Sequence, residues 1–146
     1  MKTTKRFDEA FTKLYNAFND GILNAGFCDA CAVGTLCGNG EWHMGNSLPN
    51  ITREYSGGAP HHKSYSAEEL FNIEVIFLKA HKKWGEENNI RITPYSDDTA
   101  LMESKEAQFH GLIAVINYLA ELDGIESIET SYNKLKDVLN KELQKV

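Results

Sequence analysis

Cys28, Cys31 and Cys37 fall within ten residues, in the run FCDACAVGTLCGNG, and the chain has no fourth cysteine. Thiolates at C-x2-C-x5-C spacing can grip a soft metal, line an iron–sulfur cluster or cycle through a disulfide. Zinc is the first chemistry to weigh. Tetrahedral zinc takes four nitrogen or sulfur ligands, and a pair two residues apart is common because one tight turn aims both at the ion. Cys28 and Cys31 meet that condition, and Cys37 can close from the next turn. The fourth ligand has to come from elsewhere. His43, six residues past Cys37, is the favoured one, with His61 and His62 as substitutes further along.

Three other readings of the same loop stand beside zinc. Iron–sulfur clusters normally take four cysteines, so three plus a histidine is chemically allowed but rare. Thiol redox chemistry usually sets C-x-x-C between a strand and a helix. Here a helical pattern precedes the motif, and the anionic Asp29 disfavours a thiolate. In the fourth reading nothing is bound. Reduced cysteine packs as a small hydrophobe, and CDACAVGTLC fits a short apolar helix with Cys28, Cys31, Ala32 and Leu36 facing the core.

The elements that must position this loop read as helices. Phe7, Ala10, Phe11, Leu14, Tyr15, Phe18, Ile22 and Leu23 recur at steps of three and four, which predicts an amphipathic helix. Thr3 or Thr4 is its expected cap and Gly26 its expected stop. Residues 38–65 are polar and glycine-rich, with Pro49 and Pro60. They predict a long irregular segment, a kind that is often functional or tied down by a ligand. Ser66 and Glu69 form a capping box before LFNIEVIFLKAHKKW. Leu70, Ile73, Phe77, Ala80 and Trp84 make one stripe there. Phe71, Val75 and Leu78 make a second, so this helix is expected to be central and to end at Gly85 and the polar EENN segment. A third helix is expected over Ser104 to Leu122, broken by Asp123-Gly124. A fourth covers about Ile128 to Lys145, burying Tyr132, Leu135, Val138, Leu139 and Leu143. The expectation is one all-α domain over residues 1–146, a compact bundle of about four main helices with the irregular segment near the cysteine loop.

Bulk properties exclude several classes. The chain has 146 residues, 42% of them hydrophobic, which suffices for one core. A formal net charge of -6 argues against nucleic acid or an anionic membrane as main partner, since both call for a basic face. No apolar run approaches the roughly 18 residues of a membrane span. The N-terminus MKTTKRFDEA lacks an apolar signal-peptide core, so a cytoplasmic protein is expected, with reduced thiols and no disulfide framework.

Other candidate chemistry is thin. Glu106 and His110 are four apart, and Glu74 and His81 seven apart, within helical segments. Neither pair matches the Glu-x-x-His of di-iron bundles, so both read as solvated ion pairs. Asp97 and Asp98 read as turn residues. No P-loop, nucleophile elbow or dinucleotide fingerprint is present. Trp42 and Tyr55 would mark a protein-binding surface in a metal-free interaction module.

The segments KLYNAF, FCDACAVG, YSAEELFNIEVIFLKA and FHGLIAVINYLAELDGI resemble a family of small bacterial proteins. Its members carry the name of the NADH-oxidising subunit of the Na(+)-translocating NADH-quinone reductase. The resemblance runs roughly from Phe7 to Ile125. The name implies a ferredoxin-like [2Fe–2S] domain, a flavin domain and NADH oxidation. Arg53-Glu54-Tyr55-Ser56 matches the R-x-Y-S pattern of flavin-binding reductases. The true subunit resembles ferredoxins with C-x5-C-x2-C and a distant fourth cysteine. Here the spacing is reversed, and the chain is too short for flavin and nicotinamide domains together. The resemblance therefore carries over the cysteine loop and no activity. The expectation is a small metal-binding protein with structural zinc on Cys28, Cys31, Cys37 and His43. An iron–sulfur electron carrier or a metal-free interaction module is the alternative.

Overall fold

Helix boundaries in this chain follow from local capping chemistry. The computed structural model describes residues 3–23, 32–37, 64–88, 101 and 104–144. Helix α1 spans Lys5–Asn19, and the Thr4 side chain caps it by accepting from the Phe7 backbone N–H at 3.2 Å. Phe7, Ala10, Leu14 and Phe18 of the expected stripe are buried, joined by Ala17, while Phe11 and Tyr15 are partly buried against the core. The stripe stops sooner than expected. Gly21, at φ 74°, turns the chain into the left-handed region that a residue with a Cβ avoids. Ile22 is consequently 64% exposed and not part of the core, while Leu23 is buried. The helix thus ends seven residues before the expected Gly26 stop, itself outside the described residues.

Helix α2, Ala32–Cys37, follows. Residues 38–63 of the expected irregular stretch lie outside the described residues; Ser64 and Tyr65 are bends. Helix α3, Ala67–Glu87, opens on the predicted capping box. The Glu69 N–H donates to Ser66 Oγ at 3.1 Å, and the Ser66 N–H donates to Glu69 Oε1 at 2.9 Å. It runs through Gly85, which is buried inside it, and ends within the expected EENN segment at Asn88, whose N–H returns to the Trp84 carbonyl. Helix α4, Lys105–Leu122, is capped by Ser104 and left through Gly124 at φ 66°. Helix α5, Glu129–Leu143, buries Leu135, Val138 and Leu139. Tyr132 and Leu143 are exposed, against expectation, because the inner stripe of this last helix is narrower than its apolar content.

The fold is all-α, and the described residues contain no strand. Two contacts set α3 antiparallel to α4. Asn72 donates to the Tyr118 hydroxyl at 3.1 Å, and Gly111 lies beside Phe77 and His81 further along. Two more set α1 antiparallel to α4. Lys105, near the start of α4, donates to the Phe18 carbonyl at the end of α1, and Arg6 at the start of α1 pairs with Asp123 at the end of α4. Helix α5 closes the bundle against α4 and α1, with Tyr132 edge-on to Phe109 and Lys134 over Phe11. One core runs through these helices, with Phe18, Leu36, Leu70, Phe77, Leu112, Ile116 and Leu135 fully buried. Each such side chain contributes about 1.5–3 kcal/mol on burial. No described helix is long and apolar enough to cross a membrane.

A polar clasp joins the two ends of this arrangement. Asp123 accepts from Arg6 Nε at 2.8 Å and from Thr4 Oγ1, and Arg6 also donates to the Ser64 carbonyl at 2.8 Å. The Arg6 guanidinium stacks 4.7 Å from the centre of the Tyr65 ring, and burial pushes the Tyr65 phenol up to about 12. The Arg6 hydrogen bonds hold the Asp123 carboxyl below the usual carboxylate range. A carboxyl depressed in the folded state stabilises above its unfolded pKa, about 3.9, and that contribution is lost as pH falls through the lower folded value. Asp123→Ala is therefore expected to cost about 1–3 kcal/mol at neutral pH. Urea unfolding from pH 7 downward checks this: the gap between wild type and variant stays constant above about pH 5 and closes in stronger acid.

Candidate functional site

Six residues make too short a helix to persist alone, so α2 must be held by its surroundings. Ala32, Val33 and Leu36 are its inner face, and each is almost fully buried against α1 and α3. Its ends are tied by opposite charges. The Val33 backbone N–H donates to Glu74 Oε2 at 3.3 Å, and Lys13 Nζ donates to the Leu36 carbonyl at 3.0 Å. A carboxylate at the N-terminal end and an ammonium at the C-terminal end each meet orphan backbone groups and complement the helix dipole. Cys31 directly precedes this clamped helix in sequence, and Cys37 is its last residue.

Glu74 and His81 present the largest departure from the sequence reading. They are not a solvated pair. Glu74 is 4% exposed and His81 is fully buried. Both lie on the stripe of α3 that also carries Leu70, Ile73 and Phe77. Two helical turns, about 10.5 Å, separate them along the axis. Their seven-residue spacing on a helix apolar nearly all round was the signal available for their burial.

His81 Nδ1 lies 2.9 Å from the Phe77 carbonyl, and its ring meets the Phe77 ring edge-on at 4.4 Å. A carbonyl only accepts, so Nδ1 carries the proton and Nε2 offers its lone pair. Burial pushes the His81 pKa down, which keeps the ring neutral. Nε2 is buried without a hydrogen-bond partner among the described residues. Gly111 of α4 is the reason the ring can sit there. A Cβ at that position would come within 2.8 Å of His81 Nδ1.

The expected metal ligands are placed only in part. Cys28, Cys31, His43, His61 and His62 lie outside the described residues, as does the Cys37 side chain. The structure therefore brings none of them together and separates none. Among the described residues no three His, Cys, Asp or Glu side chains form a group that could hold a metal. Of the remaining candidates, Asp97 and Asp98 also lie outside the described residues, and His110 is exposed beside Phe109. An open cleft of about 330 Å³ lies between α3 and α4, lined by Lys83, Trp84, Glu87, His110, Ile113 and Asn117 among others. Among the described residues no serine, threonine or cysteine lines it. Comparison with known protein families, with curated proteins and with solved structures finds no match to this chain.

Proposed function

We propose that the protein is a small cytoplasmic metal-binding protein whose cysteine segment holds one structural zinc ion. Cys28, Cys31 and Cys37 are the thiolate ligands and an imidazole is the fourth, with His43 the nearest in sequence and His61 or His62 next. The cysteine loop is the feature it would share with the family of small bacterial proteins it resembles. The observation that carries the reading is the clamp on α2. Glu74 and Lys13 hold both ends of a helix that begins after one cysteine and finishes on another. The ion would cross-link the chain from Cys28 onward to this fixed point, and its binding energy would become folding energy. No catalytic role is assigned.

A metal-free interaction module is the second reading. It is favoured by the burial of Ala32 and Leu36, which matches the register of a purely apolar helix. Thiol titration of the native protein separates the two. Under the metal reading the three cysteines react slowly until a chelator is added, and Cys31→Ser lowers the bound zinc. Three thiols that titrate at once, with or without chelator, favour the interaction module. A brown protein would mean an iron–sulfur cluster.

A further inference from the structure

A histidine in a dry helical core is a base that the fold has to keep uncharged. His81 is fully buried where α3 meets Gly111 of α4, and its Nε2 has no hydrogen-bond partner among the described residues. Nδ1 already carries a proton and donates it to the Phe77 carbonyl at 2.9 Å. A second proton, on Nε2, would create a buried charge and a donor with no acceptor among the described residues. The neighbouring charged groups do not compensate for it. On α3, Glu74 stands two turns before the ring, and Lys79, Lys82 and Lys83 are exposed. On α4, Glu106 and His110 precede Gly111, and α2 brings no charge among its described side chains. Burial holds the His81 pKa down, opposed among the described groups only by the Phe77 carbonyl.

The packing leaves a charged ring nowhere to turn. The Phe77 ring meets the imidazole edge-on at 4.4 Å, and a Cβ on Gly111 would come within 2.8 Å of Nδ1. The ring is wedged between a fully buried phenyl group and the backbone of α4. It can reach water only if α3 moves off α4. That seam has an opening beside it. The open cleft of about 330 Å³ between the same two helices is lined by Ala80 and Trp84, on either side of His81 in sequence, and by His110 and Ile113, on either side of Gly111. Solvent therefore already reaches residues next in sequence to both members of the His81–Gly111 contact.

We propose that His81 is a proton-operated latch: in mildly acidic solution its imidazole takes up one proton from water, and α3 parts from α4 at the cleft. The sign follows from the two protonation states. A freed imidazole titrates at about pH 6.5, and the enclosed one titrates lower. Above about pH 7.5 neither form holds the extra proton, and the latch is shut. Below about pH 6.5 the opened ring binds a proton that the enclosed ring refuses. Closure then weakens by up to about tenfold per pH unit, until the lower folded value is reached. The latch uses no cysteine, so it does not depend on the metal-binding reading.

Urea unfolding of the full chain from about pH 8 to about pH 5 tests this, on wild type, His81→Phe and His110→Gln. His81→Phe keeps a flat ring and removes the base. His110→Gln removes an exposed histidine of the same cleft. Protonation of thiolates and loss of any bound zinc act on all three proteins alike, so the comparison isolates His81. The unfolding constant of wild type over that of His81→Phe is expected to be flat above about pH 7.5. Below about pH 6.5 it rises by up to about tenfold per pH unit, and His110→Gln follows wild type. Wild type and His81→Phe losing stability in parallel overturns the proposal. If His81→Phe does not fold, proton resonance and amide exchange of wild type decide. A His81 ring that begins to titrate only as amide protection falls around Phe77, His81 and Leu112 supports the latch. A ring that titrates with that protection unchanged, or protection that has not fallen by about pH 5, overturns it.

Discussion

Gly111→Ala is expected to destabilise the protein by about 1–3 kcal/mol, although alanine is the better helix former by about 1 kcal/mol. The reason is steric. The added Cβ would stand 2.6 Å from Phe77 Cδ1 and 2.8 Å from His81 Nδ1, closer than carbon atoms pack. Neither ring can yield cheaply. Phe77 is fully buried, and His81 is pinned through Nδ1 to the Phe77 carbonyl. To relieve the clash α3 must move off α4, and that opens the central seam of the bundle. Gly111→Leu has no such compromise and is expected to prevent folding. Gly124→Ala is the control. Nothing lies within 4 Å of a Cβ there, and only the φ of 66° resists it, at a cost of about 1–2 kcal/mol. Urea unfolding of the variants checks the order. A Gly111→Ala protein as stable as wild type would contradict the close approach of these two helices.

Glu74→Ala is expected to cost about 2–3 kcal/mol, against about 0.5 kcal/mol for Lys13→Ala. The two residues hold opposite ends of α2, but they differ in burial. Glu74 is 4% exposed, and it accepts from the backbone of Val33, which is itself buried. Removing the carboxylate leaves that N–H in the core without an acceptor. Lys13 is exposed, so water replaces it at the Leu36 carbonyl. The signature of a loosened α2 is local. Cysteine thiols should react faster in Glu74→Ala than in Lys13→Ala, even under conditions where both variants remain folded. Equal stability and equal thiol reactivity in the two would mean that the clamp does not hold the cysteine segment.

Local chemistry made much of the fold legible. Ser66 with Glu69, Ser104 and Thr4 marked helix starts, and the Leu70–Ile73–Phe77 stripe marked the central helix. Periodicity failed where backbone conformation overrode it. Ile22 continues the α1 pattern, yet Gly21 has already turned the chain. Gly85 does not itself stop α3, which continues through it with Gly85 on its buried side and ends in the EENN segment that follows. The polar centre was harder. Glu74 and His81 read as surface charges because a single helix does not reveal what covers it. Their burial depends on α2, forty-one residues from Glu74 in sequence, and on Gly111 of α4. The proposed cysteine ligands rest on spacing alone, since their side chains lie outside the described residues.

Elemental analysis of freshly purified, untagged protein tests the central claim most directly. The expected result is a colourless protein carrying one zinc per chain, released by a chelator together with three reactive thiols. A metal-free protein whose three thiols react at once, and which neither gains stability nor loses thiol reactivity when zinc is added, would contradict it.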